Sequence, residues 1–264
     1  MINFSNIHVW IRGAGELGSA IANILHKVGF SVFLSELENP LAIRRTVTYS
    51  DTIYNNIANV EDTFSKLCTI SELSQVLADG FIPVLVDKPH ELKLHADIHI
   101  DARLLKKGQE DLRHYALYSI GLGPGFDTNI NCDTVIETMR GHDLGRVITN
   151  GTALPNTNIP GLIGGESKKR IIRAIADGQI TWHVNFGDLV KQNDILGSID
   201  DLTITAPFDG IVRGLIAPSV SVYKGMKIGD LDPRGKQIDI THISDKSRTI
   251  ARGVLEAILI NNRK

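Results

Sequence analysis

The first half of the chain alternates short apolar runs with stretches of helical periodicity. Residues 7–11 form an apolar run that ends close to a glycine, which is typical of a buried parallel strand. After it, apolar side chains recur at the 3.6-residue spacing of an amphipathic helix that Gly29 ends. Further strands are predicted at 31–34, 83–87, 98–101 and 115–122, and further helices at 39–45 and 71–77. This alternation predicts a parallel sheet with helical crossovers.

The second half has a different pattern. Thr134 and Glu137 have the spacing of a capping box and predict a helix through Met139, and residues 145–170 read mostly as loop. Short apolar runs separated by turns at 180–184, 194–199, 202–205 and 210–213 predict a small β barrel or sandwich. Ser244 is a plausible cap for an amphipathic helix at the C-terminal end.

These patterns predict an α/β protein with a Rossmann-like parallel sheet, then a small β barrel-sandwich module and a C-terminal helix. The predicted segments are a nucleotide-binding domain at 1–125, a connecting and ligand-loop region at 126–178, the β module at 179–235, and a strand and helix at 236–264.

Composition narrows the class of protein. With 42% hydrophobic and 22% charged residues the chain is typical of a globular protein, and a net charge of -2 provides no basic surface for nucleic acid or an anionic membrane. No apolar run reaches the roughly 20 residues that span a bilayer, and the N-terminal residues lack the pattern of a secretory signal. Two cysteines cannot form a disulfide framework or a four-thiolate zinc site. We therefore expect a cytoplasmic protein with reduced thiols and no metal site.

The strongest motif is a glycine-rich turn, Gly13-Ala14-Gly15-Glu16-Leu17-Gly18, which follows Arg12. A strand precedes it, an amphipathic helix follows, and the next strand ends near Glu36, as in dinucleotide-binding βαβ units. Gly13 would permit the tight turn, Gly15 the close approach of a diphosphate to the helix N-terminus, and Gly18 close packing of the helix on the sheet. Glu36 would bind the ribose hydroxyls. The turn thus predicts a non-covalent dinucleotide, and the alternative is a glycine turn that merely packs.

Two further segments are candidates for the same ligand. Arg44 and Arg45 could accept a second anionic group, such as a 2′-phosphate or a pterin phosphate, or could be solvated surface arginines. Gly123, Gly125 and Phe126 follow a predicted strand, so their loop could line the ligand cleft or be a structural turn.

Candidates for chemistry are weaker. Cys132 precedes a predicted helix start, where a thiol would become more nucleophilic, although buried inert cysteines are commoner. Arg140 and His142 could hold an anion and move a proton, or could interact with the dipole at a helix end. His95, Asp97, His99 and Asp101 alternate along a predicted strand, which we interpret as its polar outer face rather than a metal site.

The β segment resembles the barrel-sandwich fold of biotinyl and lipoyl domains, notably at 187–190, 194–196 and 204–212. Those carriers present a lysine at a hairpin tip, and the equivalent residues 200–203 here are Asp-Asp-Leu-Thr. The resemblance therefore implies this fold without covalent biotin or lipoate.

Taken together, the landmarks resemble one family, the YqeB-type accessory proteins of selenium-dependent molybdenum hydroxylase systems. The N-terminal domain is also similar to the Rossmann domain of XdhC-type chaperones. The first resemblance implies a maturation factor that binds a nucleotide or molybdopterin dinucleotide, with a molybdenum hydroxylase apoenzyme or other maturation factors as partners. An NAD(P)-dependent oxidoreductase and a non-enzymatic scaffold remain as alternatives, and exposed strand edges make self-association plausible. The matching segments are 11–15, 40–47, 123–126, 136–146, 155–157, 213–215, 227–234, 244–246 and 253–257.

Overall fold

A computed structural model of the protein describes residues 4–107, 109–157 and 161–261, without the side chain of Leu94. The chain forms two compact units. The first, called the sheet unit here, comprises Met1–Glu38, Thr48–Thr157 and Ile243–Lys264. The second, called the β unit, comprises Asn39–Val47 and Asn158–His242.

The sheet unit is built on a mixed sheet whose described residues form nine strands. The strands are β1 His8–Arg12, β2 Ser31–Glu36, β3 Ile57–Val60, β4 Thr63–Leu67, β5 Ile82–Val86, β6 Ile98–Asp101, β7 Tyr118–Leu122, β8 Thr134–Ile136 and β9 Val147–Ile148. Their order is β3-β4-β5-β2-β1-β6-β7-β8-β9, with every neighbouring pair from β4 to β8 parallel and with β3 and β9 antiparallel to their neighbours. After β5 the chain returns to the other side of β1, so the strand order reverses between β1 and β6.

Five α-helices are described in this unit: α1 Glu16–Lys27, α2 Thr52–Asn55, α3 Leu73–Ala78, α4 Pro89–Leu92 and α5 Asp245–Asn261. One face of the sheet packs with α1 and α5 in a single apolar cluster, which includes Ile11, Ile21 and Val254. The opposite face presents Trp10 and Phe33 to another cluster that includes Leu73 of α3. Alternation along β1 therefore supplies both cores, as expected for a strand covered on both faces.

Two predicted helices are wrong. Residues 134–136 form the strand β8, because Thr134 bonds through its hydroxyl to the Tyr118 hydroxyl at 2.7 Å and the segment pairs with β7. The Glu137 carboxylate accepts the backbone N–H groups of Thr138, Met139 and Leu154 and forms no capping box. Tertiary pairing has overridden a local helix signal.

The second wrong helix is the one expected at 39–45. Only a short 3-10 turn, Arg45–Val47, forms there. The Ile43 carbonyl instead accepts the backbone N–H of Leu215 at 2.8 Å, so its acceptor is used outside any helix. The antiparallel pair β3–β4 lies in a part of the chain for which the sequence predicted no strand.

The β unit contains two antiparallel sheets of four strands each within the described residues. The strands are β10 Ile171–Arg173, β11 Gly178–Trp182, β12 Leu189–Val190, β13 Ile195–Ile199, β14 Leu202–Thr205, β15 Gly210–Leu215, β16 Ser221–Val222 and β17 Lys227–Asp232. One sheet has the order β10-β17-β15-β12 and the other β14-β13-β11-β16. Four of the strands, β11, β13, β14 and β15, correspond to the predicted apolar runs.

A buried ion network joins β15 and β17. Arg213 bonds to Asp230 and, at 2.9 Å, to Asp232, and both carboxylates are buried. Arg234 pairs with Asp232 at 2.8 Å and Arg170 with Asp230 at 3.3 Å. The neighbouring guanidinium groups hold the pKa of Asp232 below its ordinary value, against the effect of its burial.

The C-terminal helix belongs to the sheet unit, so the compact units differ from the linear segments expected from the sequence. Ser244 caps α5 as predicted, since its Oγ accepts the backbone N–H of Ser247 at 3.2 Å. Between 236 and 244 the structure shows no strand. The loop predicted at 145–170 contains β9 at its start, and its residues 158–160 lie outside the described part of the chain.

Candidate functional site

The glycine-rich turn lies between β1 and α1, at the carboxyl edge of the sheet where the strand order reverses. Gly13 has a φ of +98°, a conformation that side chains rarely adopt, and its N–H donates to the Ser35 carbonyl of β2 at 2.8 Å. A Cβ at Gly13 would lie 3.2 Å from the Arg103 side chain. Gly13 therefore makes the tight turn that the motif requires, and Arg103 packs beside it.

The other two glycines of the motif have different surroundings. A Cβ at Gly18 would overlap the carbonyl oxygen of Gly13 and lie 3.0 Å from its carbonyl carbon, so Gly18 allows α1 to pack against the turn. A Cβ at Gly15 would meet nothing within 4 Å. Gly15 is the N-cap of α1, and no side chain caps this helix among the described residues. The open side of the turn is thus at Gly15.

Glu36, at the end of β2, lies against the turn. Its Oε2 accepts the backbone N–H of Ala14 at 2.8 Å and its Oε1 that of Leu37 at 2.7 Å. Burial raises the pKa of Glu36, the two backbone bonds oppose that shift, and the nearby carboxylate of Asp87 adds to it. The structure therefore brings together the turn and the acidic residue that the sequence paired with it.

Arg12 is part of a cluster of ion pairs at the carboxyl edge of the sheet. Its Nε donates to Asp87 Oδ2 at 2.8 Å and its Nη1 bonds to Glu110. Arg103 bonds to Asp101 and, at 3.1 Å, to the same Glu110 oxygen. Sequence reasoning missed Asp87, Arg103 and Glu110, although the first two follow strands of the sheet, and ligands in open α/β sheets bind beyond strand ends.

His99 of β6 is fully buried and lies opposite Trp10 in the pairing of β1 with β6. Its ring lies 4.3 Å from Trp10 and 5.3 Å from Tyr115, and neither ring nitrogen has a hydrogen-bond partner among the described residues. Burial, with the charges of Arg12 and Arg103, lowers the pKa of His99 to about 3, so the imidazole is neutral. The expected polar outer face of this strand is wrong, because residue 99 faces a packed layer and His95 precedes the strand.

Arg44 and Arg45 both belong to the β unit. The Arg45 guanidinium lies 5.8 Å from the centre of the Phe186 ring, and the side chain of Arg44 is buried. The helix start expected to present them does not form.

The loop with Gly123, Gly125 and Phe126 is held by packing. Gly123 has a φ of +71° and donates its N–H to the Ile136 carbonyl at 2.8 Å, and Gly125 has a φ of +104°. The Phe126 ring is buried, and a Cβ at Gly121 would lie 2.6 Å from two of its ring carbons. Phe126 is therefore a core side chain rather than a contact for a ligand.

The weak catalytic candidates are not brought together by hydrogen bonds or packing. The Cys132 thiol is buried beside Phe126 and is followed by a strand, and its burial raises its pKa to about 12. Of the two alternatives for this residue, activation at a helix start is therefore wrong and the buried thiol is found. Arg140 is held by two hydrogen bonds of 2.7 and 2.8 Å to Asp245 of α5. His142 is exposed in the turn before β9.

Glu16, the first residue of α1, connects this helix to α5. Its Oε1 accepts the hydroxyls of Ser244 at 2.7 Å and Ser247 at 2.9 Å. The carboxylate thus turns toward α5 rather than standing free at the open side of the turn. The two helices consequently have neighbouring N-termini.

The described residues contain no group of three or more histidine, cysteine, aspartate or glutamate side chains arranged to hold a metal ion. None of the helices in this part of the chain is both long and apolar enough to cross a bilayer.

No protein-family model matches the chain. Among solved structures, it is similar to an aspartoacylase family protein of Mesorhizobium loti, with 13% identity, 85% of this chain and 84% of that one covered, and a TM-score of 0.29. It is also similar to the tRNA N6-threonylcarbamoyladenosine dehydratase TcdA of Escherichia coli in complex with AMP, with 11% identity, 99% and 89% coverage, and a TM-score of 0.33. TM-scores this low establish neither a common fold nor a common function.

A curated sequence gives a much stronger match. The uncharacterized protein YqeB of Escherichia coli strain K12 is 43% identical over 255 residues, which is 96% of this chain and 47% of YqeB. The chain therefore spans about half the length of this relative. Because this identity extends over nearly all of the chain, the chain belongs to the YqeB family.

Proposed function

We propose that the sheet unit is a Rossmann-type domain that binds a nucleotide, without a covalent bond, at the turn 13–18. The observation that carries the proposal is the contrast between Gly18, which is closed by packing, and Gly15, which is open at the uncapped N-terminus of α1. Free N–H groups at a helix N-terminus bind phosphate. The reversal of strand order between β1 and β6 is where open α/β sheets bind ligands.

The charges beside the turn favour a ribose with free hydroxyl groups. Glu36 lies at the turn, and Asp87 is close enough to raise the pKa of Glu36 further. A 2′-phosphate placed here would meet two carboxyl groups and would be repelled. Arg12, which precedes the turn in sequence, already bonds to Asp87 and Glu110. Arg103, which packs beside Gly13, already bonds to Asp101 and Glu110. NAD or a molybdopterin dinucleotide therefore fits this edge better than NADP.

The physiological role follows from the sequence resemblance to accessory proteins of selenium-dependent molybdenum hydroxylase systems. In this proposal the protein is a maturation factor that holds a dinucleotide form of the cofactor for a hydroxylase apoenzyme or another maturation factor. The oxidoreductase alternative lacks support from the described residues, since the Cys132 thiol is buried with a raised pKa and His142 is exposed in a turn without a bound partner side chain.

Nucleotide binding is tested by isothermal titration of the purified protein with NAD, NADP and molybdopterin dinucleotide. We expect Gly15→Val to abolish binding and Glu36→Ala to weaken it about tenfold or more, while the exposed Glu38→Ala, a matched control two residues away, leaves it unchanged. Wild-type protein that binds no nucleotide, or binding that survives Gly15→Val, would refute the proposal.

The maturation role requires a separate test in the native host. We expect deletion of the gene to lower molybdenum hydroxylase activity, and a Gly15→Val copy to fail to restore it where the wild-type copy succeeds. Unchanged hydroxylase activity and cofactor content in the deletion strain would contradict the role while leaving nucleotide binding untouched.

A further inference from the structure

We propose that Lys246, in the first turn of α5, binds the diphosphate of the nucleotide at the glycine-rich turn, so that the C-terminal helix completes the ligand site. This inference rests on the proposed nucleotide binding. Lys246 lies more than two hundred positions from the turn in sequence, in a helix that the glycine motif itself does not include.

Hydrogen bonds hold the first helical turn of α5 next to the glycine-rich turn at residues 13–18. Ser244 and Ser247 flank Lys246, and both of their hydroxyls donate to the carboxylate of Glu16, the residue that follows Gly15. The two serines also contact each other, with their hydroxyl oxygens 2.9 Å apart. Lys246 thus extends from a segment that is held at the same end of α1 where Gly15 is open.

The side chain of Lys246 is half-buried and forms no hydrogen bond or ion pair with any other described residue. The charged groups that act on its pKa include Arg140, Glu16, Lys106 and Glu137. Burial and the two cationic neighbours lower the pKa of Lys246, and the two glutamates oppose this only partly.

Both glutamates are engaged elsewhere. Glu16 accepts the two serine hydroxyls, and the buried Glu137 accepts three backbone N–H groups. Arg140 is likewise paired with Asp245. Lys246 is therefore a partly desolvated cation without a matching anion, beside a helix terminus that lacks a cap. A diphosphate would supply the missing charge to both, through charge-assisted hydrogen bonds.

The ammonium group should bind phosphate as a point charge rather than recognise the base or the sugar. Lys246 would then affect every ligand that carries a diphosphate and would leave a nucleoside unaffected. This separates it from Glu36, whose carboxylate lies where the ribose is expected.

The test uses the full chain with ADP, inorganic pyrophosphate and adenosine as probes. Lys246→Met removes the charge and keeps an unbranched side chain, Lys246→Arg restores the charge, and Lys107→Met removes an exposed charge from the loop that contains Lys106. We expect Lys246→Met to weaken ADP and pyrophosphate binding about tenfold or more, with adenosine unchanged. The slope of log affinity against log salt should also fall for Lys246→Met. Lys246→Arg should recover part of the loss, and Lys107→Met should resemble the wild type.

The outcomes separate the two proposals. If the wild type binds ADP and Gly15→Val abolishes that binding while Lys246→Met retains wild-type affinity, the inference about Lys246 is overturned and nucleotide binding stands. An equal loss for Lys107→Met would also overturn it, since it would show only a general charge effect. If neither ADP nor pyrophosphate binds the wild type, both proposals fail. Circular dichroism of each variant checks that the fold is retained.

Discussion

The glycine-rich turn has one glycine that packs against the backbone, Gly18, and one that is open to a ligand, Gly15. Replacing each in turn with alanine adds one methyl group and tests the two roles independently. The two substitutions are chemically identical and lie three residues apart. The Gly18 Cβ would overlap a backbone oxygen, and a backbone atom cannot move aside as the end of a flexible side chain can. The Gly15 Cβ would enter open space.

The expected magnitudes follow from these surroundings. Overpacking costs about 1–3 kcal/mol and occasionally more, and a backbone overlap falls at the upper end, so we expect Gly18→Ala to lower the free energy of unfolding by about 3 kcal/mol. Because 1 kcal/mol shifts the Tm of a chain of this size by about 2–4 °C, the Tm should fall by about 6–12 °C. Gly15 has a φ of -69°, which alanine tolerates, but alanine is a poorer N-cap than glycine, so Gly15→Ala should lower the free energy of unfolding by no more than about 1 kcal/mol.

Thermal and urea unfolding followed by circular dichroism measure the stability, and titration with NAD measures binding. Gly15→Ala should weaken NAD binding about tenfold or more while its Tm stays close to that of the wild type, since the methyl group occupies the space expected for the diphosphate. The reasoning would be refuted by equal stabilities of the two variants, or by wild-type NAD affinity in Gly15→Ala.

Three further predictions concern buried groups. The Cys132 thiol should resist alkylation at pH 8 in the native protein and react once the protein is unfolded in urea; rapid native labelling of Cys132, found by peptide mass spectrometry, would contradict its burial. His99 stays neutral in the fold while its unfolded form gains a proton below its ordinary pKa of 6.5, so stability should fall with decreasing pH at up to about 1.4 kcal/mol per pH unit between 6.5 and about 3. His99→Leu should flatten that part of the pH profile of urea unfolding, and an unchanged slope would show that another group titrates. Asp232→Asn should destabilise the chain by about 3–5 kcal/mol in urea, because it leaves Arg213 buried without one of its partners, and a loss below 1 kcal/mol would argue against the buried network. Since the pKa of Asp232 is lowered in the fold, its stabilising contribution should be present above its unfolded pKa and be lost as the pH falls through the folded value.

The parts of the fold that the sequence predicted are those in which neighbouring residues determine the structure. The apolar runs of β1, β2, β5 and β6, the periodicity of α1 and α5, and the Ser244 cap were all readable locally. The glycine-rich turn could also be predicted from neighbouring residues, because three glycines within six residues determine its geometry.

The wrong predictions concern segments whose secondary structure is determined by contacts with residues far away in the chain. A capping box at residues 134–137 is a local pattern, but pairing with β7 made the segment a strand. Residues 39–47 contain a plausible helix start, yet Ile43 is bonded to Leu215, which is far away in the chain. The weaker of the two alternatives for Cys132, activation of the thiol at a helix start, depended on the helix expected from residue 134 and failed with it, while the commoner buried thiol is what the structure contains.

The ion cluster beside the glycine-rich turn could not be predicted from the sequence for the same reason. Arg12 meets Asp87 and Glu110 across sequence separations of 75 and 98 residues. No spacing within a short window indicates such pairs. A comparison of the residues that follow each parallel strand would have found Asp87 and Arg103, since the ends of neighbouring parallel strands lie at one edge of the sheet.

The position of α5 in the chain has a consequence for how the protein is made. Ser244, which precedes α5, and Ser247 bond to Glu16 across separations of 228 and 231 residues, and the intervening chain includes the whole of the β unit. During translation, the apolar side chains of α1 that pack against α5 therefore stay uncovered by that helix until the ribosome has also made the β unit. Contacts between such distant residues slow folding, and exposed apolar surface at this stage favours aggregation. Nascent chains arrested before α5 should depend on chaperones, and the sheet unit should reach its native form only after α5 has left the ribosomal tunnel.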